Sequence, residues 1–114
     1  MSLVVELPWP DPMLSPNKSK HWAKHNNAKQ AAKQKAILLT PAKKLTGDRY
    51  PLDILFYPPD RRIRDLDNLL GSMKAALDGI AEKLGIDDRQ FRPITIDFGE
   101  KVKGGKVVVK IVCP

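Results

Sequence analysis

The chain has 114 residues, of which 42% are hydrophobic and 29% charged. That balance excludes a disordered chain, and no stretch approaches the ~20 apolar residues of a membrane span. The single cysteine, Cys113, excludes an intrachain disulfide framework, and 20 Lys plus Arg against 13 Asp plus Glu give a net charge of +7, which points to a polyanionic partner.

Residues Ser2 to Leu7 are rich in Val and Leu and read as a first strand. Pro8, Pro10, Pro12 and Pro16 then prevent any ladder or helix. From Asn17 to about Thr40, Trp22, Ala28, Ala31, Ala32, Ala36 and Leu39 recur at helical spacing, and Pro41 ends the helix. Its thin, alanine-rich face is expected to pack closely on a sheet with the lysines outward. Tyr50 to Tyr57 reads as a second strand, closed by Pro58 and Pro59, and a basic turn from Asp60 to Arg64 follows. A second helix carries one wide apolar stripe from Leu66 through Leu69, Leu70, Met73, Leu77 and Ile80 to Leu84, with Gly85 as its stop. Ile94 to Val102 and Lys106 to Val112 read as two strands of a hairpin turning through Lys103, Gly104 and Gly105. The order β-α-β-α-β-β predicts a single-domain α/β (α+β) fold with two helices packed on a small mixed sheet. The N-terminus MSLVVELPWP has neither a basic start nor a long apolar run, so no targeting segment is expected. A cytoplasmic protein without membrane contact is the expectation.

Charge is unevenly distributed. Between Pro12 and Gly47 there is no acid, while Lys18, Lys20, Lys24, Lys29, Lys33, Lys35, Lys43 and Lys44 fall inside that stretch. The acids gather later, at Asp65, Asp67, Asp78, Asp87 and Asp88. A basic chain with a local knot of carboxylates suggests metal chemistry on a phosphate polymer. Asp65 and Asp67 at the mouth of the second helix suit Mg²⁺, which takes one or two carboxylates and keeps waters and phosphate oxygens as its other ligands. Asp and Asn are also favoured N-caps, and spacing alone leaves both readings open. On a continuous helix Asp67, Gly71, Lys74 and Asp78 share one polar face, so the Lys74 ammonium either approaches the metal end or pairs with Asp78. Asp87 and Asp88 offer a third carboxylate or a polar turn. Arg61, Arg62 and Arg64 adjoin the carboxylates and are candidates for phosphate contacts, with Lys18, Lys20 and Lys24 behind them. The lysine run equally suits a solvated helix face. His21 and His25 are four residues apart, but no third soft ligand accompanies them, so no transition-metal site is expected.

The string DRRIRDLDNL, the helix end LDGIAEKLGI, the following DDRQF, the terminal KGG turn and the early LPWP and SPN segments together resemble the RusA-type Holliday-junction-resolving endonucleases, found largely in bacteria and their prophages. The resemblance spans nearly the whole chain. It implies that the two aspartates of the D-x-D-N motif and a later aspartate bind a divalent metal, Mg²⁺ with Mn²⁺ as an alternative, and these fall on Asp65, Asp67 and Asp88. It also implies a functional lysine one turn after the motif. That position is Gly71 here, and Lys74, one turn later, is the substitute. The implied activity is metal-dependent hydrolysis of phosphodiesters in four-way junctions, in DNA recombination and repair. Two symmetric nicks need two active sites and hence a homodimer. Two alternatives remain at this level: a non-catalytic basic DNA-binding module, and a nuclease acting on other branched DNA.

Overall fold

The computed structural model describes residues 2–16 and 22–113. Its elements are β1 (Ser2–Pro8), α1 (Trp22–Leu39), β2 (Tyr50–Tyr57), α2 (Leu66–Ser72), α3 (Lys74–Leu84), β3 (Phe91–Phe98) and β4 (Lys106–Val112), with short 3-10 turns at Pro12–Leu14 and Asp88–Gln90. The expected α+β architecture is present: one mixed sheet of four strands in the order β1-β4-β2-β3, with three helices.

The sheet departs from expectation in one connection. β3 and β4 do not form a hairpin, because β2 lies between them, parallel to β3 and antiparallel to β4. The glycine turn is present, with Gly104 and Gly105 at φ 80 and 72. The chain before it leaves the ladder early: Gly99 N–H donates to Phe56 O and Val102 N–H to Pro58 O, both at 2.9 Å, which draws the connection across the end of β2. β3 therefore ends at Phe98 rather than Val102. It is an edge strand, where Pro93 removes no interior ladder bond.

Alternation along the strands sets the core. Tyr50, Leu52, Ile54 and Phe56 of β2 are buried with Val107, Val109 and Ile111 of β4 and Val5 and Leu7 of β1. Met73, Ala76, Leu77, Ile80, Ala81 and Leu84 complete the same cluster from the helical side. The long apolar stripe thus buries as expected, but on two helices rather than one. Ser72 Oγ bonds back to Asn68 O at 3.0 Å, and Met73 N–H turns to Leu70 O at 3.0 Å, a tightening that breaks the ladder at Met73. Gly85 closes α3 in the left-handed region at φ 74.

The thin face of α1 meets α3. A Cβ at Gly79 would lie 2.7 Å from Lys33 O and 3.3 Å from the Ala36 Cβ, so only glycine lets the two backbones approach this closely. Ala36 is fully buried there, whereas Leu38 and Leu39 are exposed. Lys33 pairs with Glu82 at 2.9 Å, and Lys83 Nζ donates to Ile37 O at 3.1 Å, fastening the helices along their edges. Cys113 is a buried free thiol. Among the described residues no helix is long and apolar enough to cross a membrane.

Candidate active site

The β2–α2 connection begins with Asp60, whose carboxylate organises the basic turn. It accepts from Arg62 N–H at 3.0 Å and from Arg64 Nη2 at 2.7 Å, and those donors hold it below the usual carboxylate range, Arg62 first. Arg64 is turned inward. Its Nη1 also donates to Asp60 O and Arg62 O, each at 3.2 Å, and its guanidinium lies 5.2 Å from the Trp9 ring centroid. Trp9 packs edge-on against Phe56 with centroids 6.3 Å apart. Arg64 is thus committed to bracing the turn. Arg61 is exposed, and Arg62 reaches out with a loose 3.3 Å pairing to Asp60. The i,i+4 spacing of Asp60 and Arg64 was the available sequence signal for this brace.

Asp65 occupies the N-cap position of α2, yet its side chain makes no capping hydrogen bond. Its carboxylate instead takes a 3.4 Å contact from Asn68 Nδ2, and Asp65 lines a groove of about 650 Å³ with Asn68 and Arg62. Asp67 is exposed in the first turn and accepts from Asn68 N–H at 3.0 Å. Both acids stand where the helix dipole favours negative charge.

Asp88 and Lys74 form a second pairing, and no third acid joins Asp65 and Asp67 closely enough to make a metal cage among the described residues. The break at Met73 places Lys74 at the first position of α3, and its Nζ lies 3.6 Å from Asp88 Oδ2 on the turn that follows α3. Asp78 of α3 lies close enough to this pair to be affected by it: burial pushes its carboxyl above the ordinary value, and the neighbouring Asp88 carboxylate adds to that, against Lys74 and Lys33. Lys74 therefore contacts the neighbouring turn, and its ion pair is with Asp88 rather than with Asp78, the partner that helical spacing offered.

Asp87 has a different occupation. It caps the Asp88–Gln90 turn in a capping box with Gln90 and accepts from Arg89 Nε and Nη2, both at 3.1 Å. These Arg89 bonds lower its pKa to about 2. A group depressed in the fold contributes stability above its unfolded pKa, near 3.9. That contribution is expected to be complete at neutral pH and to vanish as pH falls through about 2. An NMR titration of the Asp87 carboxyl carbon should show its midpoint near about 2, and Arg89→Ala should bring it back toward the ordinary range.

Among the described residues no three His, Cys, Asp or Glu side chains stand close enough to hold a metal ion. Asp65 and Asp67 nonetheless fit a hard divalent cation in donor chemistry: they are exposed oxygen ligands, the Asp65 side chain is not spent on a capping hydrogen bond, and Mg²⁺ needs only one or two carboxylates. Asp88 is engaged by Lys74. His25 Nδ1 lies 2.5 Å from Met13 O and serves as a tether rather than a ligand. Lys24 is exposed on α1, while Lys18, Lys20 and His21 lie outside the described residues.

The fold and this cluster define a small α+β domain with an acidic site set beside a basic turn. No protein-family model matches the chain. It is 38% identical over 113 residues to an uncharacterised protein of Xylella fastidiosa, an alignment that covers 94% of this chain and 74% of that one. The two belong to one family. It is also 40% identical over 68 residues to the crossover junction endodeoxyribonuclease rusA of Enterobacteria phage HK97, covering 58% of this chain and 53% of the phage protein. The chain thus matches about half the length of that relative, a partial likeness to a RusA-type resolvase.

Proposed function

We propose that the chain is a Mg²⁺-dependent endodeoxyribonuclease that acts on branched DNA, resolving four-way junctions by paired symmetric nicks as a homodimer. One observation carries the reading: Asp65 takes the cap position of α2 without capping it, and lines a groove together with Asn68 and Arg62. A carboxylate kept for helix stability would bond to the first-turn amides. The partial likeness to the phage endonuclease supports the same reading.

In this reading Asp65 and Asp67 would hold the metal from the start of α2, and Asp88, paired with Lys74 in this structure, would be the third carboxylate. A divalent metal held there would supply Lewis-acid polarisation of a phosphate oxygen and a water of lowered pKa. Lys74 places positive charge beside that phosphate, and Arg61 and Arg62 hold flanking phosphates without reading sequence. Lys24 and its neighbours on the cationic stretch carry the arms, so binding weakens steeply with salt. One active site per chain makes a two-fold dimer the unit that cuts both strands.

The test is cleavage of a mobile four-way junction with and without Mg²⁺, with a flap and a linear duplex alongside. Paired symmetric nicks on the junction alone are expected. Cutting of the flap in preference would reassign the substrate, and metal-dependent cutting of none of the three would leave only the binding-module alternative.

A further inference from the structure

The basic turn carries a feature that phosphate binding does not use. Ile63 is fully exposed, the most exposed of the large hydrophobic residues described, while its neighbours Arg62 and Arg64 are held by Asp60. An isolated exposed aliphatic is ordinary on a protein surface. This one stands on a backbone that is braced from beneath, because Arg64 Nη1 ties the carbonyl before Ile63 to Asp60 O and stacks on Trp9. It also stands on a ridge. On one side is the groove of about 650 Å³ that contains Asp65 and Asn68, on the other a groove of about 490 Å³ that contains Phe98 and Lys101, and Ile63 lines both.

An apolar tip between two grooves, with cationic side chains at its flanks, matches a nucleic acid that divides. Phosphates lie along the arms and the unstacked base faces lie at the point of division. Aliphatic side chains inserted at a base step part the stack and turn the duplex. We propose that Ile63 is a wedge that enters the base stack at the branch point of bound DNA, with the two grooves receiving the arms that diverge there. The inference rests on the branched-DNA reading above and adds to it the residue that selects the branch. Arg61 and Arg62 steer the phosphates on either side of the tip, and the fixed distance along the chain from Ile63 to Asp65 sets the scissile phosphate close to the branch.

The experiment uses a four-way junction with 2-aminopurine beside the branch point, bound by protein carrying Asp67→Asn so that the DNA stays uncut. With Ile63 in place the fluorescence should rise as the base unstacks, and Ile63→Leu should preserve the rise. Ile63→Ser should abolish it, weaken junction binding roughly tenfold, the scale of one aliphatic side chain no longer buried against the bases, and leave linear-duplex binding within about twofold. Because Ile63 touches no core residue, these variants keep the fold. An undiminished fluorescence rise with Ile63→Ser overturns the wedge while leaving the nuclease reading intact. A change in sedimentation of the DNA-free protein with Ile63→Ser overturns it in favour of a protein contact. Absence of any junction preference in protein that retains Ile63 overturns both.

Discussion

Asp67→Asn is expected to lower Mg²⁺-dependent cleavage of a four-way junction by a factor of at least about 100, the scale seen when one charge-stabilising group is removed from a reaction centre. The substitution is almost isosteric, and Asp67 is exposed with a single hydrogen bond, to the adjacent Asn68 N–H. The fold therefore loses little: the helix-dipole contribution of one acid in the first turn of α2, about 0.3–1 kcal/mol. Binding should be retained or slightly strengthened, since a carboxylate beside a phosphate track repels it. A gel-shift titration paired with single-turnover cleavage separates the two effects. Cleavage within a few-fold of the unsubstituted rate would remove Asp67 from the metal site and with it the proposed mechanism.

The largest structural effect is expected at Phe56. It is fully buried on the central strand, flanked by β4 on one side and β3 on the other, and Trp9 rests edge-on against it. Phe56→Ala leaves a cavity that a close-packed sheet cannot collapse, at a cost of about 3–5 kcal/mol. For a domain of this length that lowers the thermal midpoint by roughly 10–25 °C. The consequence extends beyond the core. Trp9 is the platform for Arg64, and Arg64 braces the turn that carries Ile63, so the substitution should also loosen the basic turn. Urea unfolding followed by circular dichroism measures the first effect, and proteolysis between Asp60 and Asp65 the second. A loss under about 1 kcal/mol would show that β2 is not the centre of the core.

The strands and helices were legible wherever one face is buried, because burial enforces a period. β2 and β4 have the bounds that their alternation predicts, and α3 stops at the glycine expected to stop it. Neighbour order was not legible. The alternation of β4 says which side chains face inward but not whether β3 or β2 supplies its ladder, and both strands present suitable backbones. The break at Met73 escaped the stripe for a similar reason, since the apolar residues on both sides of it still point into one core.

At the site, residue types and spacing brought forward Asp65, Asp67, the Asp87–Asp88 pair, Lys74 and the basic turn, and only the family resemblance chose Asp88 from its pair. Side-chain roles depended on contacts made across the chain. Asp87 and Asp88 are adjacent and identical in type, yet one is consumed by a capping box and Arg89 while the other turns to Lys74. Among the three arginines of the turn, Arg64 is taken inward by Asp60 and Trp9 and leaves Arg61 and Arg62 for solvent. Composition, period and motif are properties of the chain read locally, so the sequence by itself determined the class of fold, the elements and the chemistry on offer. Which strand lies beside which, where the long helix breaks, and which charges remain free to meet a substrate were decided by the tertiary structure, because each depends on a partner brought near only by folding.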